Sequence, residues 1–139
     1  MEKHKIFLKT TKPIRAFQKP SVEMCIAFLW KDDQNVDSEG SEDGDEKSYK
    51  YLQNREKPEE KFEVDRIQKG KGQYVYEVSS DLESLAAKVA YCLAMTMEGE
   101  VGGEAQGPFS QPSILLEKIE KSFDLDAAFQ RLEKSRNWR

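Results

Sequence analysis

Two alternating runs that meet at a pair of glycines constrain this chain more than any other feature. Residues 61–67 set Phe62 and Val64 on one side and Glu63, Asp65 and Ile67 on the other. Residues 73–78 set Tyr74, Tyr76 and Val78 opposite Val75 and Glu77. Between them stands Lys69-Gly70-Lys71-Gly72. Period-two alternation broken by turn residues predicts a β-hairpin.

A helix follows over residues 81–97. Leu82, Leu85, Ala86, Val89, Leu93 and Thr96 recur at three- and four-residue steps, one buried stripe. Ser80 and Glu83 have the spacing of a capping box, and Gly99 ends the helix. Residues 98–112, rich in Gly and Pro, read as a flexible connection. Ser113 then opens a second helix carrying Ile114, Leu115, Ile119 and Phe123. Asp124 caps a third, 125–136, with Leu125, Ala128, Phe129 and Leu132 on one face.

Upstream, residues 5–11 and 48–53 read as strands. Ile14 and Phe17, between Pro13 and Pro20, suit a short strand or an extended edge. Residues 21–30 are the most apolar run. Periodicity leaves strand and helix both open here. The entry after Pro20 and the abrupt polar end favour a strand buried on both faces. Strands first and helices afterwards predict an α+β fold, an antiparallel sheet of about four to five strands in the N-terminal half, packed by about two to three C-terminal helices. The 139 residues are read as one domain, 1–139.

Charge divides the chain unevenly. Residues 1–31 carry seven Lys or Arg and two acids, whereas residues 32–46 carry eight acids and no base. Val36 is the only apolar residue in that second stretch. So little apolar surface does not offset the entropy of ordering, and residues 32–47 read as a flexible acidic loop. Without a basic face, direct nucleic-acid binding is not expected.

Catalytic chemistry is poorly supplied. His4 is the only histidine, and Cys25 and Cys92 each sit in an apolar run, as buried free thiols do. No nucleophile–base pair, metal-ligand spacing or cofactor motif emerges. The sequence predicts no enzyme, no catalytic residue, no metal site and no cofactor. The stretch Glu98-Gly99-Glu100-Val101-Gly102-Gly103-Glu104 lacks the Lys-Ser/Thr ending of a phosphate loop. Asn35, Asp37, Glu39, Gly40 and Glu46 have the spacing of a calcium-hand loop. Asn at the first ligand, Glu42 at the apolar eighth position and the missing flanking helices argue against it. No apolar run reaches the roughly 18 residues of a membrane span, and the opening residues are not those of a signal peptide. A cytoplasmic protein with reduced thiols is expected.

The functional expectation is a protein–protein interaction module for a basic partner. Its concrete form is a stoichiometric inhibitor, immunity- or antitoxin-like, of a toxin or nuclease. The expected contact set is Asp37, Glu39, Glu42, Asp43, Asp45 and Glu46, because a dense block of carboxylates steers a basic surface into contact. The alternative is a small-ligand or cation-binding domain using the same acidic segment. Tyr49, Tyr51, Tyr74 and Tyr76 could share a sheet face, in a core or at an interface. A homodimer is compatible with each reading.

Overall fold

The computed structural model describes residues 3–11, 22–30, 36–41, 49–70 and 72–134. The strand considered around Ile14 and Phe17 lies outside them. The fold is α+β, as the element order implied. Six strands form one antiparallel sheet: β1 (His4–Thr10), β2 (Val36–Ser41), β3 (Tyr49–Asn54), β4 (Lys61–Gly70), β5 (Gln73–Ser80) and β6 (Glu100–Gly102). Their order across the sheet is β2-β3-β4-β5-β1-β6. The helices are α1 (Cys25–Leu29), α2 (Glu83–Met97) and α3 (Leu125–Lys134), with 3-10 helices at Val22–Met24 and Pro112–Lys118.

The twin-glycine hairpin is the centre of the sheet. Val64 faces Val78 and Glu63 faces Ser79 across β4 and β5. The register slips by one residue between Arg66 and Gln68. Ile67 is the extra residue of this bulge and is exposed. Gly72 takes a φ of 69° in the turn, a conformation that suits a residue without a Cβ.

One sheet face carries the core. Ile6, Leu8, Leu52, Phe62, Val64, Tyr76 and Val78 point to the helix side and are buried. α2 packs across β1, β5 and β4. It is buried on more than the expected stripe, because Ala87, Ala90, Tyr91, Cys92 and Ala94 are enclosed as well. Helix α1 and the 3-10 helix Pro112–Lys118 pack against α2 too. Both cysteines are buried and neither is in a disulfide, as their apolar settings implied.

Residues 21–30 are corrected from strand to helix: of the described residues 22–30, Val22–Leu29 are helical. Cys25, Ala27, Phe28 and Leu29 are all buried, with α2 on one side and α3 on the other. A five-residue helix that is apolar throughout, with only Ile26 partly buried, has no polar face and hence no period to read. Its end is finished from far away. Arg131 on α3 donates from Nε to the Ala27 carbonyl and from Nη2 to the Phe28 carbonyl, each at 2.9 Å. A guanidinium there satisfies carbonyls that the helix end leaves free.

Five further expectations change. Part of the acidic stretch read as a loop, Val36–Ser41, is strand β2, paired along its length with β3. Main-chain hydrogen bonds do not depend on side-chain charge, and charges on an edge strand deter unwanted pairing. Residues 98–112 carry β6 on their way from α2 to Pro112. The capping box does not form. Ser80 Oγ accepts the Leu82 N–H at 3.1 Å and donates to the Lys61 carbonyl at 2.7 Å, which ties the end of β5 to β4. At the other end of α2, Glu98 rather than Gly99 takes the left-handed conformation, with a φ of 55°. Gly99 is held for space instead, since a Cβ there would lie 2.9 Å from the Lys9 carbonyl oxygen. The second expected helix is the 3-10 helix Pro112–Lys118. α3 starts as predicted, with Asp124 Oδ1 accepting the Ala127 N–H at 3.0 Å.

Candidate functional site

Side chains alternate along a strand, so the register fixes what the opposite sheet face carries. Glu39, Tyr51, Glu63, Ser79 and Lys5 follow one another across β2, β3, β4, β5 and β1. The next row runs Tyr49, Asp65, Glu77 and Phe7. Asp37 lies opposite Gln53 at the near end of β3. The core helices occupy the other face, and among the described residues no helix covers this one.

The face has two halves. At the β2–β3–β4 end, Asp37, Glu39, Glu63 and Asp65 surround Tyr49 and Tyr51. Toward β1, Lys3 meets Glu63 at 3.0 Å and Lys5 meets Glu77 at 3.1 Å. Asp37 is held by Arg55 from the β3–β4 turn. That turn is built by Asn54, whose N–H reaches the Glu60 carbonyl at 3.0 Å and whose Oδ1 accepts the Glu56 N–H at 3.0 Å.

Burial and the neighbouring carboxylates together raise the phenols of the two tyrosines. The Tyr49 phenol is pushed above its ordinary value first by burial, then by the charge and hydrogen bond of Glu63, with Asp65 and Glu39 adding to it. The Tyr51 phenol is raised by burial, then by Glu39, Glu63 and Asp37, with Lys3 opposing. A phenol resists losing its proton where negative charge already stands. Both tyrosines therefore sit in one shared negative field.

Of the six residues expected to contact a partner, Asp37 and Glu39 lie on this face, on edge strand β2. Glu42, Asp43, Asp45 and Glu46 fall outside the described residues. The sequence reading did not include Glu63 and Asp65 in the set. Their alternation with Phe62 and Val64 already put them on the polar side; the missing information was that β3 and its tyrosines pair beside them. The four tyrosines do not share a face. Tyr76 is buried on the helix side and Tyr74 has the same parity, opposite Tyr49 and Tyr51. The cause is register: Tyr49 stands across from Asp65, and Asp65 across from Glu77, one residue away from Tyr76.

Among the described residues, no group of three or more His, Cys, Asp or Glu is arranged to hold a metal ion. No described helix is long and apolar enough to cross a membrane. No protein-family model, curated protein or solved structure matches the chain.

Proposed function

We propose that this chain is a non-enzymatic interaction module that engages a basic protein through the β2–β3–β4 end of its open sheet face. One observation carries the reading. Four carboxylates, Asp37, Glu39, Glu63 and Asp65, flank two tyrosines whose phenols their charge helps to raise. Lys3 and Arg55 offset Glu63 and Asp37, and the net negative charge that remains attracts a basic surface and accelerates encounter. Tyrosines supply broad contact area with little rotamer entropy to lose, and they are enriched at interfaces. Glu42, Asp43, Asp45 and Glu46 follow β2 directly in sequence and belong to the proposed contact set. An inhibitor of a basic toxin or nuclease is the concrete form, because carboxylates can occupy the phosphate positions of a nucleic-acid site.

The test is a pull-down from host lysate with three baits. These are the intact protein, the strand variant Asp37→Asn/Glu39→Gln/Glu63→Gln/Asp65→Asn, and the segment variant Glu42→Gln/Asp43→Asn/Asp45→Asn/Glu46→Gln. A basic protein retained only by the intact bait, and released by about 0.5 M salt, supports the reading and identifies the target. Retention of the same proteins by all three baits, or binding indifferent to salt, ends it.

A further inference from the structure

The opposite edge of the sheet carries a different feature. β6 covers β1 only at Phe7, Leu8 and Lys9, opposite Gly102, Val101 and Glu100. On its other flank β1 is paired further, with His4, Lys5 and Ile6 opposite Ser80, Ser79 and Val78 of β5. Along those three residues, no described strand lies on the β6 side. Main-chain groups of a strand alternate between its two flanks, and Val101 spends both of its own on Ser110, so Phe7, Lys9 and by the same parity Lys5 face the β6 side; among the described residues no strand meets the Lys5 N–H and C=O there.

The chain leaves β1 at Gly102 and turns back. A Cβ on Gly102 would lie 2.5 Å from the Pro108 carbonyl oxygen, so only glycine allows the returning segment so near. Gly107 takes a φ of 87° in that return. Ser110 then exchanges two main-chain hydrogen bonds with Val101, at 2.8 and 2.7 Å. Between this return, the free stretch of β1 and the 3-10 helix Pro112–Lys118 lies a cavity of about 590 Å³. Ligand pockets typically enclose about 300–1,000 Å³.

The lining says what fits. Ile6, Val101 and Leu115 are buried and line it, while Ile114, 54% exposed, stands at its rim. Lys5 is already paired with Glu77 on the open face, and Lys118 stands among Glu104 and Glu117, so the lining holds no surplus of positive charge. A phosphate or a fatty-acid carboxylate gains no net attraction there. A neutral amide chain meets both an apolar floor and unused strand hydrogen bonds.

We propose that this cavity binds an extended peptide segment, which adds to the free flank of β1 at His4–Ile6 and seats one aliphatic side chain between Ile6, Val101 and Leu115. Strand addition of this kind takes affinity from the main chain and selectivity from one side-chain pocket. The site lies at the other end of the sheet from the acidic face, so either can fail without the other.

The experiment is a nitrogen-15 NMR titration of the full chain with the blocked peptide acetyl-Ala-Leu-Ala-Ala-amide. Two N-methylated versions, one for each parity of the amides, and sodium octanoate are titrated in parallel. The expected result is shifts confined to residues 4–6, 101–110 and 114–118. Methylation of one parity should weaken binding about tenfold, the scale of one lost hydrogen bond, and methylation of the other should be tolerated. Ile114→Asp, at an exposed position, should weaken the peptide to a similar degree with an unchanged unfolding midpoint. Absence of shifts at millimolar peptide overturns the proposal. So does equal binding of both methylated versions, or octanoate displacing the peptide at lower concentration. The methylated pair decides the matter even if the variant misfolds.

Discussion

The two faces of the sheet are built from the same strands and obey opposite rules. On the helix side Leu8, Leu52, Phe62, Tyr76 and Val78 are almost completely removed from water. On the other side the same strands carry Lys5, Tyr51, Glu63 and Glu77. The first face stabilises by excluding water, so its residues are bound to shape. The second stabilises little, because exposed ion pairs gain little over hydration, and its residues are free to serve recognition. The comparison teaches that stability and binding can be altered separately in this protein.

The strongest way to break that comparison is at Phe28, which is fully buried and packs against Phe123 and Phe129 at centroid distances of 5.7 and 4.9 Å. Phe28→Ala should cost about 3–5 kcal/mol in a urea unfolding experiment. A loss near zero would show that the helical layer is not part of the cooperative core. Next is Arg131→Met, which leaves the Ala27 and Phe28 carbonyls without their charged donor. About 1.5–3 kcal/mol is expected, with Arg131→Lys recovering only part, since an ammonium cannot reproduce the two-pronged geometry.

Glu120 probes a charged contact within the helical layer, where it bonds Ser84 and Lys88 of α2. Burial pushes its carboxyl up, but hydrogen bonds from Lys88 and Ser84, together with the Lys88 charge, outweigh this and hold it below the ordinary glutamate value. Lys88 also stands 4.4 Å from the centroid of the Phe123 ring. A carboxyl depressed in the folded state stabilises above its unfolded pKa, and the gain is lost as pH falls through the folded value. The carboxylate is 44% exposed, so solvent screening limits the effect to under about 1 kcal/mol. Glu120→Gln should therefore destabilise slightly at neutral pH, and the difference from the intact protein should vanish in acid.

The smallest effect on stability should come from the open face. Asp37→Asn/Glu39→Gln/Glu63→Gln/Asp65→Asn should shift the unfolding free energy by less than about 1 kcal/mol. The same variant should ionise Tyr49 and Tyr51 at lower pH, seen by ultraviolet absorbance, because their raising charges are gone. Raised phenols contribute stability that is complete below the unfolded tyrosine value and lost as pH climbs through the folded one. The variant should accordingly lose less stability than the intact protein in that alkaline range. A loss comparable to Phe28→Ala would mean that the acidic face is structural, and would remove the ground for assigning it to binding.

Local pattern carried much of the fold. The hairpin, β1, β3, α2 and the Asp124 cap of α3 follow from periodicity and capping chemistry, which act within a few residues. Where partners came from afar, the reading failed. α1 lies in the most apolar run and is finished by Arg131, more than a hundred residues later. β2 carries an unpromising acidic sequence and exists as a strand because β3 lies beside it. The candidate site divided in the same way. Asp37 and Glu39 were legible from charge density, whereas Glu63, Asp65 and the two tyrosines joined them only through register.

By itself the sequence determined the α+β class, the polar side of each alternating strand and the buried thiols, because each follows from composition and spacing along the chain. The tertiary structure alone decided which strands are neighbours, which tyrosines see the carboxylates, and where β6 stops short along β1. Pairing between strands is set by the packing of a whole layer, and a shift of one residue turns every side chain to the other face.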